Sequence, residues 1–118
     1  MIRARGLGRQ AARKGRSKLE ERYAEHLKLL QLAGEIADFR EQAFRLRLAG
    51  SAFYKPDFLV ILADGLVEFH ETKGHWEEAA RVRIKVAAEL YPWFTFKAVQ
   101  FKAGNWVVEE IGSHSPNE

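Results

Sequence analysis

Apolar residues recur along this chain with two different periods, and the switches between them lay out the elements in order. Leu19, Tyr23, Leu27 and Leu30, with Ala24 and Leu32 beside them, fall at helical spacing between Ser17 and Gly34. Ser17 suits an N-cap and Gly34 a C-terminal stop, so the spacing predicts a first helix here. The text from 35 to 48 is mixed, but Phe44, Leu46 and Leu48 alternate with Arg45 and Arg47, as in a strand with one wet face. Gly50-Ser51-Ala52 then turns the chain. Two apolar runs follow, 58–62 and 66–69, joined through Asp64-Gly65. Asp-Gly between β-prone runs predicts a hairpin with a type I′ turn, which requires positive φ at both central residues. Pro56, unable to donate a ladder hydrogen bond, fits the first residue of a strand or an edge.

The second half repeats the alternation. Residues 76–90 read as a helix, with Ala79, Val82, Val86 and Leu90 on its apolar side and Arg81 and Lys85 stacked four apart on another. Tyr91-Pro92 stops it, 94–101 is a strand, and Ala103-Gly104-Asn105 turns the chain into a last strand over 106–111. The order is helix, strand, hairpin, helix, strand, strand. A strand, a crossover helix and a following strand pair in parallel. The expected class is therefore α/β, a mixed sheet of about five strands flanked by two helices.

Composition narrows the chemistry. The chain of 118 residues suits one domain, and 47% hydrophobic with 30% charged residues is globular. Cysteine is absent, which removes disulfides, thiolate zinc sites and a cysteine nucleophile. No apolar run approaches the roughly 20 residues of a membrane span, and the basic amino terminus is followed by no apolar stretch of the kind a signal peptide needs. The net charge of +3 conceals an asymmetry. Residues 1–18 hold Arg3, Arg5, Arg9, Arg13, Lys14, Arg16 and Lys18 and no acid, leaving twelve bases against sixteen acids, a net of −4, for the rest. Residues 1–16 thus read as a basic arm that contacts phosphates without fixed structure of its own, 17–112 as the folded domain, and 113–118 as a polar tail. The alternative for the arm is a solvated terminus that only aids solubility.

The predicted hairpin carries the candidate chemistry. Folding its strands together brings Asp57, at the start of one, near Glu71, at the end of the other, and Lys73 follows two residues on. Two carboxylates and a lysine at one sheet end are suited to a hard divalent cation with a cationic partner; on sequence alone, weak surface ion pairs explain the same residues. Ser17-x-x-Glu20 matches a capping box, which gives Glu20 a structural role; its functional role would be to point its carboxylate at the sheet edge, with Glu21 as rival. His70 falls on the face opposite Glu71 and reads as packing or surface, whereas His75 could reach a phosphate. Trp76 reads as a core anchor, and Arg81 and Lys85 as a solvated helix face or a contact to DNA backbone.

Three segments together resemble the PD-(D/E)XK nuclease superfamily, and within it the phage endonuclease I type of Holliday-junction resolvase. They are Arg16-Ser17-x-Leu19-Glu20, Tyr54-x-Pro56-Asp57-Phe58-Leu59 and Glu71-Thr72-Lys73-Gly74-x-Trp76-Glu77. The likeness covers about residues 16–90, and it extends to small phage proteins thought to be such resolvases. It implies a restriction-endonuclease-like core in which Asp57, Glu71, the Thr72 carbonyl and Glu20 bind Mg2+ or Mn2+. Lys73 would then face the scissile phosphate. A lysine among carboxylates keeps its charge, which favours an electrostatic role over that of a general base. The resemblance further implies a homodimer that cuts branched DNA inside a bacterial host cell, in its cytoplasm, and a phage or prophage origin. Arg9, Arg13, Lys14, Arg16, Lys18, His75, Arg81 and Lys85 would contact the DNA. Two other readings stand beside it: a nuclease of this fold that nicks, repairs or restricts, and an inactive DNA-binding protein. Departures from the pattern are the missing basic carboxy-terminal extension and a 34–50 stretch without a recognisable dimer bridge.

If the arm grips phosphates, deleting residues 1–15, which hold five of the bases, weakens DNA binding. It also flattens the plot of log affinity against log salt by roughly 0.9 for each phosphate that the shortened chain leaves unneutralised. An unchanged slope in a fluorescence titration assigns the arm to solubility alone.

Overall fold

The computed structural model describes residues 17–112, so the expected arm 1–16 and tail 113–118 lie outside the described residues. Helix α1 (Lys18–Leu32) opens on the anticipated capping box: the Ser17 Oγ accepts from the Glu20 amide at 3.0 Å and the Ser17 amide donates to Glu20 Oε1 at 3.1 Å. Gly34, at φ 81, leads the chain out. Seven strands follow around a second helix, α2 (Glu78–Leu90): β1 (Ile36–Glu41), β2 (Leu46–Ala49), β3 (Ala52–Tyr54), β4 (Phe58–Leu62), β5 (Val67–Thr72), β6 (Thr95–Lys102) and β7 (Asn105–Ile111). Five of them form one sheet in the order β1-β4-β5-β6-β7, and β2 and β3 form a separate two-stranded hairpin. β5 and β6 pair in parallel across α2, and the other neighbours are antiparallel. The α/β class and the mixed five-stranded sheet with two helices are as the periodicity indicates.

Each face of the sheet buries its own core. On one face Tyr23, Ala24 and Leu27 of α1 pack with Ile36, Phe58, Val60 and Val99. On the other, Ile84 and Ala87 of α2 pack with Phe69, Phe96, Ala98 and Ile111, joined by Leu46 and Tyr54 from the β2–β3 hairpin. The first face also carries a buried polar chain. The Tyr23 hydroxyl meets His70 Nδ1 at 2.7 Å, His70 Nε2 meets Glu68 Oε1 at 2.8 Å, and Lys97 Nζ lies 3.1 Å from Glu68 Oε2. Burial alone would raise the Glu68 carboxyl, but the bonds from His70 and Lys97 outweigh it and hold it below its ordinary range. Burial and the Glu68 charge raise the Tyr23 phenol. His70 does face away from Glu71, yet it is a buried link between α1 and β5 rather than a surface residue.

Three expectations need correction. Between 35 and 48 the pattern suggests one strand, whereas β1 and β2 are separate elements. β1 is a sheet edge with a register shift between Ile36 and Asp38, and its charged Asp38 and Arg40 blur the alternation of period two. The expected core stripe of α2 also faces the wrong way: Val82 is 49% and Leu90 45% exposed, while Ile84 and Ala87 are buried. β7 ends close beneath the helix, at Ala88. A Cβ added to Gly112, itself at φ 75, would stand 2.5 Å from the Ala88 Cβ.

The third correction concerns the turns. Only Gly65, at φ 93, is left-handed in the β4–β5 connection. Gly65 N donates to the Leu62 carbonyl at 2.9 Å and Leu62 N to the Leu66 carbonyl at 2.8 Å, which is a three-residue loop with a bulge. The arrangement with two positive φ angles occurs instead at Ala103 (φ 51) and Gly104 (φ 81), between the paired Lys102 and Asn105. Alanine is strained there because its Cβ crowds the backbone. Ala103→Asn therefore raises the unfolding free energy by about 1 kcal/mol, read as a later urea midpoint at unchanged m-value. An unchanged or earlier midpoint contradicts this account of the turn.

Candidate active site

The site forms where β4 and β5 part. Their ladder pairs Phe58 with His70, which sets Asp57 and Glu71 opposite each other one residue beyond it. The Asp57 side chain takes over from the ladder: its Oδ2 accepts from both the Thr72 amide and the Thr72 hydroxyl, each at 2.9 Å. The Asp57 amide in turn donates to Glu71 Oε1 at 3.3 Å. Lys73 N remains bonded to the Val99 carbonyl, so β5 stays attached to β6 while it leaves β4. The Asp57 carboxylate is thus tied to Thr72 and that of Glu71 to the Asp57 backbone, which holds both on a firm frame.

A tyrosine and a lysine complete Glu71. The Tyr54 hydroxyl donates to Oε1 at 2.8 Å, and Lys73 Nζ stands 3.3 Å from Oε2. Tyr54 is a site residue that residue spacing alone passes over, although it heads the segment that also holds Pro56 and Asp57. Its signal is the one-residue offset that places it on β3, facing in with Leu46.

Glu20 satisfies both of its readings at once. One oxygen closes the capping box, while its carboxyl shares a hydrogen bond with that of Asp57. Glu21 lies elsewhere, along an outer groove with Lys18, Arg22 and Glu25. The helix carboxylate at the site is Glu20.

Three carboxyl groups therefore converge beside one ammonium. Burial, then the Asp57 charge and the hydrogen bond shared with it, push the Glu20 carboxyl up to about 7, against a smaller lowering from the Ser17 backbone. Burial and Asp57 also raise Glu71, despite the lowering influence of Lys73 and Tyr54. Among the described residues, no three metal-ligating side chains stand in a ready-made coordination cage. Their oxygens are tied instead to Thr72, Tyr54, Lys73 and one another. The donor set nevertheless suits a hard cation: it is all oxygen, and its members repel one another. A divalent cation would relieve the repulsion that raises Glu20 and Glu71.

The other expected contacts scatter. Lys18, His75 and Lys85 are exposed. Arg81 is occupied: it bonds Glu109 at 3.0 and 3.4 Å and lies 4.4 Å over the Trp76 ring. Trp76 packs against the α2-side core, with Lys73 Nζ 5.4 Å from its ring centre, in keeping with an anchor. Arg9, Arg13, Lys14 and Arg16 lie outside the described residues.

No family model matches the chain, and neither the curated proteins nor the solved structures contain a match to it. Among the described residues no helix is long and apolar enough to cross a membrane.

The raised Glu20 value has a defined sign. Because the folded state keeps this proton up to about pH 7 and the unfolded chain releases it near its ordinary value, stability in chelator falls as pH rises between those two points and is level above. Glu20→Gln preserves the cap and removes the charge. It should stabilise the metal-free protein at pH 8 by on the order of 2 kcal/mol, less than full linkage because the group is part-exposed. The gain vanishes by pH 4 in urea titrations. A gain independent of pH contradicts the crowding of Glu20 against Asp57.

Proposed function

We propose that the protein is a metal-dependent DNA endonuclease of the PD-(D/E)XK type, selective for branched DNA. The observation that carries this reading is the meeting of Glu20, Asp57 and Glu71, from a helix end and two parting strands, with Lys73 beside Glu71. These are the same residues whose surrounding text resembles the resolvase group. A structural ion pair accounts for Lys73 and Glu71 but gives no reason to press a third carboxylate onto Asp57.

In this reading Mg2+ or Mn2+ would be held by Asp57, Glu71, the Thr72 carbonyl and Glu20. When bound, the ion would supply Lewis-acid stabilisation of charge on the phosphate and on the attacking and leaving oxygens. The chain's own groups do the rest. Thr72 holds Asp57 through two hydrogen bonds and Tyr54 holds Glu71, so neither carboxylate swings when substrate arrives. Lys73, at the rim of the cluster, stabilises negative charge on the scissile phosphate. Glu20, with a carboxyl near neutrality, releases its proton as the site fills and takes up protons again as it empties.

DNA is the proposed partner, and paired nicks on opposite strands of a junction require two such sites, which makes the active species a homodimer. The setting proposed for it is the cytoplasm of a bacterial host, with a phage or prophage gene as its source.

The test is incubation with a labelled four-way junction, a flap and linear duplex in magnesium, calcium or chelator. Paired nicks on the junction in magnesium only are expected. Equal cutting of linear duplex removes the branch selectivity, and no nicking with any substrate reduces the protein to a DNA binder. Asp57→Asn, which keeps the size of the side chain, lowers junction cleavage by at least about a hundredfold while junction affinity in calcium stays within about twofold. Retained turnover in Asp57→Asn rules out the metal assignment.

A further inference from the structure

The β2–β3 hairpin belongs to neither helix layer nor the main sheet, and its two faces differ in chemistry. Leu46 and Tyr54 face in and are buried, at 8% and 4% exposure. Arg47 pairs with Phe53 across the ladder on the outer side, where both are exposed. Arg45 lies with its guanidinium carbon 4.2 Å from the centre of the Phe53 ring. Phe44 rests against buried Phe69, centroids 6.2 Å apart, yet is itself 50% exposed, and Phe53 is 38% exposed. Residues 42–56 hold three bases, Arg45, Arg47 and Lys55, and no acid.

The hairpin is fixed in place and reaches the candidate active site from its inward face. Tyr54, next to Phe53, donates to Glu71, and the Tyr91 hydroxyl clamps the Arg47 carbonyl at 2.7 Å. Arg47 Nε is held by the Gly50 carbonyl at 2.9 Å. Three residues lie between Phe53 and Asp57, so their Cα atoms stand no more than about 13 Å apart along the chain. That is about the length of four stacked nucleotides of one strand, at roughly 3.4 Å each.

Exposed aromatic rings are costly to leave in water, and a stretch with three bases and no acid suits a polyanion. Planar rings and guanidinium groups interleaved with bases are the surface on which single-stranded nucleic acid stacks, because every nucleobase offers a π-face and every linkage a phosphate. A duplex cannot use such a platform, since its bases already stack on one another. We propose that the outer face of the β2–β3 hairpin, Phe53 with Arg45, binds nucleobases left unpaired beside the phosphate to be cut. The inference rests on the nuclease reading for the nearby phosphate. It also supplies that reading with a basis for choosing branched DNA over plain duplex, namely the unpaired bases that a branch can expose.

The test measures binding and needs no hydrolysis. The full chain is titrated in calcium with a forked DNA carrying 2-aminopurine at an unpaired position next to the branch, and with linear duplex of the same length. Phe53→Ala should weaken fork binding by roughly tenfold and abolish the change in 2-aminopurine fluorescence, with duplex affinity altered less than twofold. Phe53→Tyr should restore both. Arg45→Ala should flatten the salt slope on the fork by roughly 0.7. Thermal unfolding of each variant confirms that the fold is intact. Equal loss on fork and duplex, or wild-type fork binding by Phe53→Ala, overturns the platform, as does a face that takes up no DNA of either form. Nicking by the wild type alongside a silent Phe53→Ala leaves the nuclease reading standing and the platform refuted. Fork stacking without any nicking in magnesium does the reverse.

Discussion

The two hydrogen bonds from Thr72 to the Asp57 carboxylate hold the candidate site together. They replace the next rung of the β4–β5 ladder with a side chain, and so let the strands separate without leaving the Thr72 amide unsatisfied at a position only 8% exposed. The separation makes room at the sheet end for Glu71, for Lys73 and, from above, for Glu20. Without that substitution the strands would continue pairing, and the carboxylates would lie along a closed sheet instead of converging.

Convergence is unfavourable by itself, and the rest of the fold supplies what offsets it. Two apolar cores grip the sheet from opposite faces, one through α1 and the other through α2 and the β2–β3 hairpin. The chain from Tyr23 through His70 and Glu68 to Lys97 binds α1 to β5 and β6 through buried polar contacts. Because Tyr23 lies one turn from Glu20, and His70 lies next to Glu71, this chain also sets the height of the helix carboxylate over the strand. Tyr54 plays the matching part on the other face, joining the hairpin to Glu71. Site and scaffold are therefore not separable: the same residues that fill the two cores aim the charged ones.

Legibility varies with how local the controlling interaction is. The capping box at Ser17 and Glu20, the stop at Gly34 and the opposition of Asp57 and Glu71 across one hairpin each depend on a single short stretch of chain, and all are present. The edge strand β1 is obscured because an edge needs only one apolar face and carries charge to discourage further pairing. Composition points to Asp64-Gly65 for the type I′ turn, whereas strand register, a non-local property, puts it at Ala103-Gly104. Tyr54 becomes readable as a site residue only once β3 is known to fold back over Glu71.

What the chain determined unaided is the material of the site and its local order: a helix with a glutamate in its first turn, a hairpin that brings two acids face to face, and a lysine two residues on. Those follow from backbone dihedral preferences and from periodicities of 3.6 and 2 residues, which act over short stretches. Tertiary structure alone decided that Glu20 rather than Glu21 meets Asp57, that α2 turns Ile84 and Ala87 inward instead of its valines, and that the β2–β3 hairpin reaches Glu71 through Tyr54. Each of these depends on how far elements can approach across the sheet, as at Ala88 and Gly112, and close packing between segments distant in sequence leaves no periodic trace in either.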